Sequence, residues 1–422
     1  MTYEQALAYI HSVNWQGKTP GLHRIRALLE ALGNPQKQLR FVHVAGTNGK
    51  GSTCACLASI LSQAGYRVGL YTSPFIHRFN ERFQVNGQPI SDSDLCSVLE
   101  YIRPAAEELE QAPTEFELIT ALAMVYFVNE QCDLVVLEVG LGGALDPTNI
   151  IDTPELAIIT ALGLDHVREL GGSLAQIAQA KAGIIKSGGT VLFYGHCPEA
   201  EPVIAGQAER CHARLLRPRW DTLNIKEYRP EATIMDYADF ADLQLPLLAS
   251  YQPYNAAMAI EAALLLRAKG YFLSARDIRE GIARVSWPGR FELLRQNPPF
   301  LLDGSHNPQG IRATAESLAA RYPGRRFVVL LGLMADKDVS AMIGGIAPYA
   351  HSFVTVTPPS PRAMEAEALA CRVRAETGLA AQSADSIPEG VALALAAGGD
   401  GVCALGSLYF SSEIRDAAMP LL

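Results

Sequence analysis

At 422 residues the chain is longer than one hydrophobic core normally supports, so we expect two domains. Hydrophobic residues make up 49 % and charged residues 19 %, a composition typical of folded globular proteins that argues against disorder. The formal net charge is −9 and no dense Lys/Arg stripe is present, which argues against nucleic acid as a partner.

The cysteines and the first residues bear on the compartment. The eight cysteines form no CxxC pair and lie mostly in apolar stretches, as reduced core thiols do. The opening MTYEQALAYIHSVNW lacks the basic region and apolar run of a signal peptide, and no stretch reaches about 18 uninterrupted apolar residues. We therefore expect a cytoplasmic protein with no membrane partner.

The first part of the chain alternates short apolar runs with longer helical patterns, such as residues 114–129. This alternation predicts βαβ units around a mostly parallel sheet that is buried on both faces. The apolar runs are FVHVAG, RVGLYT, LVVLEVG, LAIITAL and TVLFYG, beginning at Phe41, Arg67, Leu134, Leu156 and Thr190.

The pattern changes along the second half. Residues 213–248 contain short alternating segments that predict a small antiparallel sheet at the edge of the first domain. After two helical stretches, Pro and Gly in SWPGR mark a domain boundary. The runs FLLDG, RFVVLLG, SFVTVT and GVCALG then predict a smaller, Rossmann-like α/β domain. The predicted domains are residues 1–287 and 288–422.

The segment VAGTNGKGS, from Val44, follows a strand and opens a helical pattern. Its backbone N–H groups and a helix N-terminus can face phosphate, with Lys50 pairing to phosphate oxygens. Val44 departs from the GxxxxGK[ST] pattern, and an ordinary glycine-rich turn is the alternative. The predicted ATP-binding residues here are Gly46, Thr47, Asn48, Gly49, Lys50, Gly51 and Ser52.

GTNGKGS resembles the nucleotide loop of the Mur ligase superfamily. Further segments, in order along nearly the whole chain, resemble its folylpolyglutamate synthase and dihydrofolate synthase branch. These segments are YTSPFIHRFNERFQVNG from Tyr71, TEFELITALA from Thr114, LEVGLGGALDPTN from Leu137, LDHVRELG from Leu164, KAGIIK from Lys181, WPGRFE from Trp287 and DGSHNPQG from Asp303.

The resemblance implies an α/β fold with a P-loop mononucleotide-binding domain and a smaller C-terminal domain. It implies an ATP-dependent ligase that joins L-glutamate to a folate, or to dihydropteroate, through an acyl phosphate. ADP and phosphate would be the other products. We expect ATP as co-substrate and a monomer.

Metal and carboxylate chemistry depends on residues at strand ends. Glu138 closes the run LVVLEVG, at the carboxyl end of a parallel strand where α/β sheets bind ligands. A water-exposed or lysine-paired carboxylate is the alternative. The resemblance implies that Ser73, Glu138 and His166 hold Mg²⁺, two ions in all. It also implies a carbamylated Lys181, which unmodified would be an ordinary salt-bridge lysine.

The second half supplies further expected contacts. Asn255 could be a helix N-cap, and the resemblance implies an adenine contact. Arg290 and Asp303 resemble residues that contact the nucleotide, and His306 resembles a catalytic residue alongside Lys50 and Lys181. A turn before a helix is the alternative for DGSHNP.

Substrate contacts are the remaining hypotheses. Phenylalanines in such runs are more often core residues, but aromatic rings can also contact a pterin. The expected folate-binding residues are Phe75, Phe79, Thr114 and Phe116. The resemblance places Lys337, Ser407 and Tyr409 around the incoming glutamate.

Two departures and three alternatives stay open at this point. Ala144 stands where relatives often carry a basic residue, and FSSE after Tyr409 lacks a glycine that is usual there. One alternative is a cell-wall Mur ligase, although only about 40 residues precede the strand that leads to Gly46, fewer than a typical domain. Another is a nucleotide-binding module without ligase activity, and the third, motivated by the two departures, is a catalytically weakened member of the family that serves as a binding protein. The acceptor, the product length and the oligomeric state are left undetermined.

Overall fold

The structure is a computed structural model that describes residues 1–13, 21–407 and 410–422. The chain forms two compact units. Unit 1 comprises Met1–Leu223 and Tyr254–Arg284, and unit 2 comprises Asn224–Pro253 and Val285–Leu422. Within the described residues, no helix combines the length and the apolar character needed to cross a membrane.

Unit 1 is built on a mostly parallel sheet in the order β4-β3-β2-β5-β1-β6-β7-β8, which confirms the predicted α/β class. Only the β2–β3 and β3–β4 pairs are antiparallel. The five central strands are almost entirely buried because helices cover both faces. The strands are β1 (Phe41–Ala45), β2 (Val68–Tyr71), β3 (Phe83–Val85), β4 (Gln88–Pro89), β5 (Leu134–Glu138), β6 (Leu156–Ile159), β7 (Thr190–Phe193) and β8 (Arg214–Leu216).

Three helices of this unit begin at a residue whose side chain caps their free N–H groups. Thr2, Thr114 and Ser173 each form a capping box with the glutamine or glutamate three residues later. The helices are α1 (Tyr3–Ser12), α2 (His23–Ala31), α3 (Lys50–Gln63), α4 (Asp92–Glu108), α5 (Glu115–Asn129), α6 (Val167–Leu170), α7 (Leu174–Ala182), α8 (Glu201–Arg210), α9 (Gln252–Ala268, from Tyr254 onward in this unit) and α10 (Ala275–Arg284).

Helix α3, which follows the phosphate loop, is fixed by α10 packing directly on its backbone. A Cβ at Gly281 would lie 2.4 Å from the Cα of Ile60, so only glycine allows this approach. The Ser59 hydroxyl donates to the Gly281 carbonyl at 2.7 Å. The helix that begins at the phosphate loop is therefore anchored along its length.

Unit 2 contains a three-stranded antiparallel sheet formed by β9 (Asn224–Tyr228), β10 (Thr233–Tyr237) and β11 (Phe240–Leu245). The sequence predicted this sheet but placed it at the edge of the first domain. Its compact unit is instead the second, where the Arg321 guanidinium donates to the Leu248 carbonyl and the Thr233 hydroxyl. The guanidinium also lies 5.0 Å from the Tyr228 ring centroid.

The larger sheet of unit 2 has the order β12-β13-β17-β14-β15-β16 and is parallel except for the β12–β13 pair. Its strands are β12 (Glu292–Gln296), β13 (Pro299–Leu302), β14 (Phe327–Leu331), β15 (Ala350–Thr355), β16 (Ala381–Ser383) and β17 (Val402–Leu405). Its helices are α11 (Pro308–Arg321), α12 (Val339–Ile346), α13 (Ala366–Thr377), α14 (Ile387–Ala396) and α15 (Ser411–Ala418).

Candidate active site

The phosphate loop occupies the predicted place between β1 and α3 in unit 1. Gly49 has a positive φ of 85° and is the N-cap of α3, and Lys50 is the first residue of that helix. Gly51 and the buried Ser52 belong to the first turn. The loop thus presents a helix N-terminus, whose free N–H groups and dipole favour anions.

The loop is tied to the segment after β6. The N–H groups of Thr47 and Asn48 donate to the Ala161 carbonyl at 3.0 and 3.1 Å. The Thr160 hydroxyl donates to the Asn48 carbonyl at 2.8 Å, and a Cβ at Gly46 would lie 1.8 Å from that hydroxyl oxygen. Glycine at position 46 is therefore required by close packing, and Thr160 is a supporting residue that the motif alone did not indicate.

Two lysines converge on one carbonyl of this loop. Nζ of Lys181 donates to the Gly46 carbonyl at 2.7 Å, and Nζ of Lys50 donates to the same carbonyl at 3.2 Å. Lys181 is 5 % exposed, and burial together with the charge of Lys50 lowers its pKa to about 7. The site therefore concentrates positive charge beside a helix N-terminus, and one of its amines is readily neutral.

Asn255 lies against the phosphate loop. Its Oδ1 would be 2.3 Å from a Cβ at Gly49, so the two residues are in close contact. The N-cap alternative for Asn255 is wrong, because α9 begins at Gln252 and Asn255 is a buried residue in its first turn. An amide side chain is thus fixed beside the loop.

The proposed metal ligands end or follow β2, β5 and β6, three parallel strands whose carboxyl ends lie at the same edge of the sheet. Glu138 is the last residue of β5, is 4 % exposed and accepts a hydrogen bond from the Ser73 N–H at 3.0 Å. His166 follows β6 with φ 48° and an exposed side chain, and its Nε2 lies 3.9 Å from Asp165. Among the described residues, no group of three or more His, Cys, Asp and Glu side chains surrounds a common point.

The Glu138–Ser73 pair fits Mg²⁺ by its chemistry. A buried carboxylate and a neighbouring hydroxyl residue provide the hard oxygen donors that this ion prefers, with waters and phosphate oxygens completing its coordination. Lys50 lies in the same region, because both charges act on the thiol of Cys54 on α3. The Glu138 carboxylate raises the pKa of that thiol, and the Lys50 ammonium lowers it. An imidazole from His166 is a further candidate ligand.

The loop after Glu138 is held by Asp146. Its carboxylate accepts hydrogen bonds from the Leu141 N–H and from the Thr148 hydroxyl, at 2.8 and 2.6 Å. The Thr148 oxygen contacts Nε2 of His43 at 2.9 Å, and burial lowers the pKa of His43 to about 3. His43 is therefore neutral and donates through Nε2, since the Thr148 proton is already used. His43 and Thr148, which support the loop after Glu138, lie 105 positions apart in sequence, so no local sequence pattern links them.

The predicted folate-binding residues have different environments. Phe79 is 2 % exposed and packs in the core with Phe83, and its contact with a pterin stays a prediction. Phe75 and Phe116 are only partly buried. The Thr114 side chain caps α5 by accepting from the Glu117 N–H.

In unit 2, the DGSHNP segment follows β13. The Asp303 carboxylate is 1 % exposed and accepts from the N–H groups of Phe291 and Ser305. A nucleotide contact by Asp303 stays a prediction. Nδ1 of His306 lies 2.9 Å from the Gly304 carbonyl, to which it donates. Arg290 is half-buried and has no hydrogen bond or ion pair within residues 1–13, 21–407 and 410–422.

The structure says less about the three residues that are expected to contact glutamate. Lys337 is half-buried in the turn before α12, and Ser407 is buried. Its carbonyl accepts a hydrogen bond from the Ser411 hydroxyl in the FSSE segment at 3.2 Å. Tyr409 lies outside the described residues.

A phosphate loop at the carboxyl edge of a parallel sheet, joined in one chain to a second α/β unit, defines a two-domain nucleotide-dependent enzyme. The Mur ligase middle domain matches residues 44–263, and the glutamate ligase domain of Mur ligases matches residues 289–408. The chain belongs to the folylpolyglutamate synthase/dihydrofolate synthase family of Mur ligases, which are ATP-dependent ligases.

Full-length relatives support this assignment. Dihydrofolate synthase/folylpolyglutamate synthase of Bacillus subtilis is 37 % identical over 425 residues, covering 98 % of both chains. Folylpolyglutamate synthase of Lacticaseibacillus casei is 37 % identical over 436 residues, covering 99 % of both. A solved folylpolyglutamate synthase complex with AMPPCP and folate has a TM-score of 0.86 at 36 % identity and covers 100 % of both chains.

Proposed function

We propose that this enzyme uses ATP to ligate L-glutamate to a folate, through an acyl phosphate on the acceptor carboxylate. The observation that carries the proposal is the phosphate loop, where Lys50 and Lys181 converge on the Gly46 carbonyl. The family relationship supplies the acceptor class, since the relatives are folylpolyglutamate and dihydrofolate synthases. Dihydropteroate is a second proposed acceptor.

Charge placement supports phosphoryl transfer at this loop. The N-terminus of α3 and the Lys50 ammonium face the position where a triphosphate would bind, so negative charge that develops on the transferring group meets preorganised cations. The close packing of the Asn255 amide on Gly49 supports the proposal that Asn255 contacts the adenine. Arg290 and Asp303 remain proposed nucleotide-binding residues, as the family resemblance implies.

Ser73 and Glu138 are the residues that would hold Mg²⁺, with His166 as a further candidate. The ion would neutralise phosphate charge when bound. We propose two ions, as expected from the family.

Lys181 is the proposed site of carbamylation. A lysine attacks carbon dioxide only as the free amine, and the lowered pKa of about 7 makes that form abundant at neutral pH. The neutral amine forms an N–C bond to carbon dioxide as one C–O π bond breaks, and it releases one proton, so the product is a carbamate anion. That anion could serve as a metal ligand or contact the acceptor.

His306 remains a proposed catalytic residue, and residues 288–422 remain the proposed glutamate-ligase domain. The proposed substrate contacts are Phe75, Phe79, Thr114 and Phe116 for the folate, and Lys337, Ser407 and Tyr409 for glutamate. After the acyl phosphate forms, the glutamate amine attacks its carbonyl carbon, and phosphate leaves from the tetrahedral intermediate. An acyl phosphate is hydrolysed by water, so water exclusion is essential. The enzyme is proposed to act as a monomer.

The test is phosphate release by purified protein with ATP, Mg²⁺ and glutamate, comparing dihydropteroate, tetrahydrofolate and no acceptor. Release with both acceptors indicates a bifunctional enzyme, and release with tetrahydrofolate alone a polyglutamate synthase. Release that requires neither acceptor nor glutamate would overturn the ligase assignment for this chain.

A further inference from the structure

The loop between β2 and β3, residues 72–82, is closed at its base by contacts within unit 1. The Thr72 N–H donates to the Arg82 carbonyl at 3.1 Å, directly beyond the antiparallel β2–β3 pair. The next residue, Ser73, donates its N–H to the Glu138 carboxylate at 3.0 Å. The start of the loop, which includes the proposed Mg²⁺ ligand Ser73, is therefore fixed beside β3 and at the end of β5.

The tip of this loop is held by one side chain. Residues 72–78 form neither helix nor strand, so their backbone N–H groups need other partners. The N–H groups of Ile76, His77 and Arg78 all donate to the Glu81 carboxylate, at distances of 2.9 to 3.2 Å. A single carboxylate thus binds three consecutive N–H groups through charge-assisted hydrogen bonds.

Glu81 comes from a well-anchored part of the chain. It lies in a short 3₁₀ helix, Phe79–Arg82, and its own N–H donates to the Arg78 carbonyl at 3.0 Å. The neighbouring Asn80 is 2 % exposed, and its side-chain amide donates to the Ile90 carbonyl at 2.7 Å. The anchored 3₁₀ helix therefore determines where the tip of the loop lies, because the carboxylate that binds the tip is fixed to that helix.

The tip is close in sequence to both candidate ligand-binding residues of the loop. Only two residues separate Ser73 from Ile76, so a displacement of the tip would move Ser73 as well. One of the two is Phe75, whose ring lies 5.9 Å from the Phe79 ring and 5.3 Å from the Arg82 guanidinium. The hydrogen bonds to Glu81 are thus the last fixed point of the loop after Ser73.

We propose that Glu81 is a positioning residue of the metal site. By binding the backbone of residues 76–78, it holds the loop in the conformation that keeps Ser73 beside the Glu138 carboxylate. This inference rests on the proposed function, in which Ser73 and Glu138 hold Mg²⁺. A residue that orients a metal ligand without touching the ion typically contributes about 10- to 100-fold to metal affinity.

The first test measures the affinity for AMPPCP, an ATP analogue that is not hydrolysed, by titration calorimetry with and without Mn²⁺ in place of Mg²⁺. In Glu81→Ala, which loses all the hydrogen bonds to the tip, we expect the metal-dependent gain in affinity to fall about 10-fold. The affinity for metal-free AMPPCP should stay unchanged. Glu81→Gln keeps one acceptor oxygen, so we expect a fall of about 3-fold only.

The second test measures hydrogen exchange of the backbone amides by mass spectrometry and needs neither metal nor substrate. We expect the amides of residues 76–78 to exchange at least about 10-fold faster in Glu81→Ala, with little change elsewhere in unit 1. If these amides exchange at the rate of the wild type, Glu81 does not hold the loop and the inference is wrong.

Two further variants separate the positioning role from a general loss of stability. In a Ser73→Ala background, Glu81→Ala should lower the metal-dependent gain no further, because the ligand that it positions is already absent. Asp133→Ala is the matched control, since the Asp133 carboxylate also accepts a backbone N–H, that of Arg67, at 2.7 Å. Asp133 lies just before β5, at the opposite edge of the sheet, so its loss should leave the metal-dependent gain unchanged.

Three results would overturn the inference. One is an equal loss of AMPPCP affinity with and without Mn²⁺ in Glu81→Ala, and another is an unchanged metal-dependent gain in that variant. If Glu81→Ala fails to fold, the same two results for Glu81→Gln decide. The third is a wild type that gains no affinity from Mn²⁺, which would refute the proposed metal site itself. A wild type that shows the gain but releases no phosphate with any acceptor would contradict the proposed ligation and leave the role of Glu81 intact.

Discussion

Two loops that follow parallel strands, residues 46–49 after β1 and residues 303–307 after β13, handle charge in opposite ways. In the first, the ammonium groups of Lys50 and Lys181 donate to a backbone carbonyl, and a polyanionic ligand can attract either cation. In the second, the Asp303 carboxylate is fully engaged by protein donors and faces the interior.

The difference separates ligand-binding charge from structural charge. A lysine that donates to a neutral carbonyl keeps most of its electrostatic attraction for an anion. The Asp303 carboxylate, in contrast, is 1 % exposed and already accepts hydrogen bonds from three protein donors. A charged residue in a motif is therefore informative only together with its partners. The following predictions test this contrast, from the largest expected effect to the smallest.

Lys50→Met should have the largest effect, because it removes the cation at the N-terminus of α3. We expect kcat to fall by at least about 10³-fold with little loss of thermal stability. Lys186→Met is the matched control, since Nζ of Lys186 also donates to a backbone carbonyl, that of Asn149, at 3.1 Å. Steady-state kinetics of both variants give the comparison, and similar losses in the two would contradict a specific role for Lys50.

Lys181→Met should lower activity by about 10²-fold and raise stability. The pKa of Lys181 is about 7 when folded, against a usual 10.5, so the unfolded chain binds an extra proton between these values. The destabilisation is complete below pH 7 and disappears as pH rises toward 10.5. We expect a gain of about 3 kcal/mol at pH 7 that shrinks by pH 9.5.

Denaturant unfolding of both proteins at the two pH values, in buffer depleted of carbon dioxide, measures this effect. Adding bicarbonate should stabilise the wild type alone, because only the wild type has the Lys181 amine, and carbon dioxide bound by the folded state stabilises that state. A stability difference that does not depend on pH would show that Lys181 is not held as a strained, largely neutral amine.

Gly46→Ala should weaken the phosphate loop, because the new Cβ would lie 1.8 Å from the Thr160 hydroxyl oxygen. We expect a loss of about 2 kcal/mol in stability and a rise of about 10-fold in KM for ATP. Gly172→Ala is the control, since no atom lies within 4 Å of its Cβ position and its φ is not positive. Thermal melts and ATP titrations of the pair would refute the packing argument if both variants behaved alike.

The sequence predicted the strands that are continuous apolar runs, because parallel strands buried on both faces leave that signature. It missed β12, whose residues are half-buried and contain no apolar run, and the short β16 at the opposite edge of the same sheet. Edge strands gain their structure from a partner strand, so local sequence carries little of the signal.

The candidate site likewise contains residues that the sequence could predict and residues that it could not. The phosphate loop was predictable because its glycines, Lys50 and the helix start are contiguous in sequence. The contact of Lys181 with Gly46 spans 135 positions, and the burial of Phe79 and Asp303 depends on the complete core. Residue type and motif identified where charge would be needed, while tertiary packing decided which charges remain available to a ligand.

Ser305→Ala should have the smallest effect. It tests whether the loop at residues 303–307 contributes to stability rather than to ATP binding. Its hydroxyl reaches Asp303 only through Thr314, so its removal leaves all three donors to the carboxylate in place. We expect a loss of about 1 kcal/mol in stability and less than about a 2-fold change in KM for ATP. Urea unfolding and ATP kinetics measure both quantities. A larger change in KM for ATP would mean that the Ser305 hydroxyl acts directly, and that the second loop also binds the ligand.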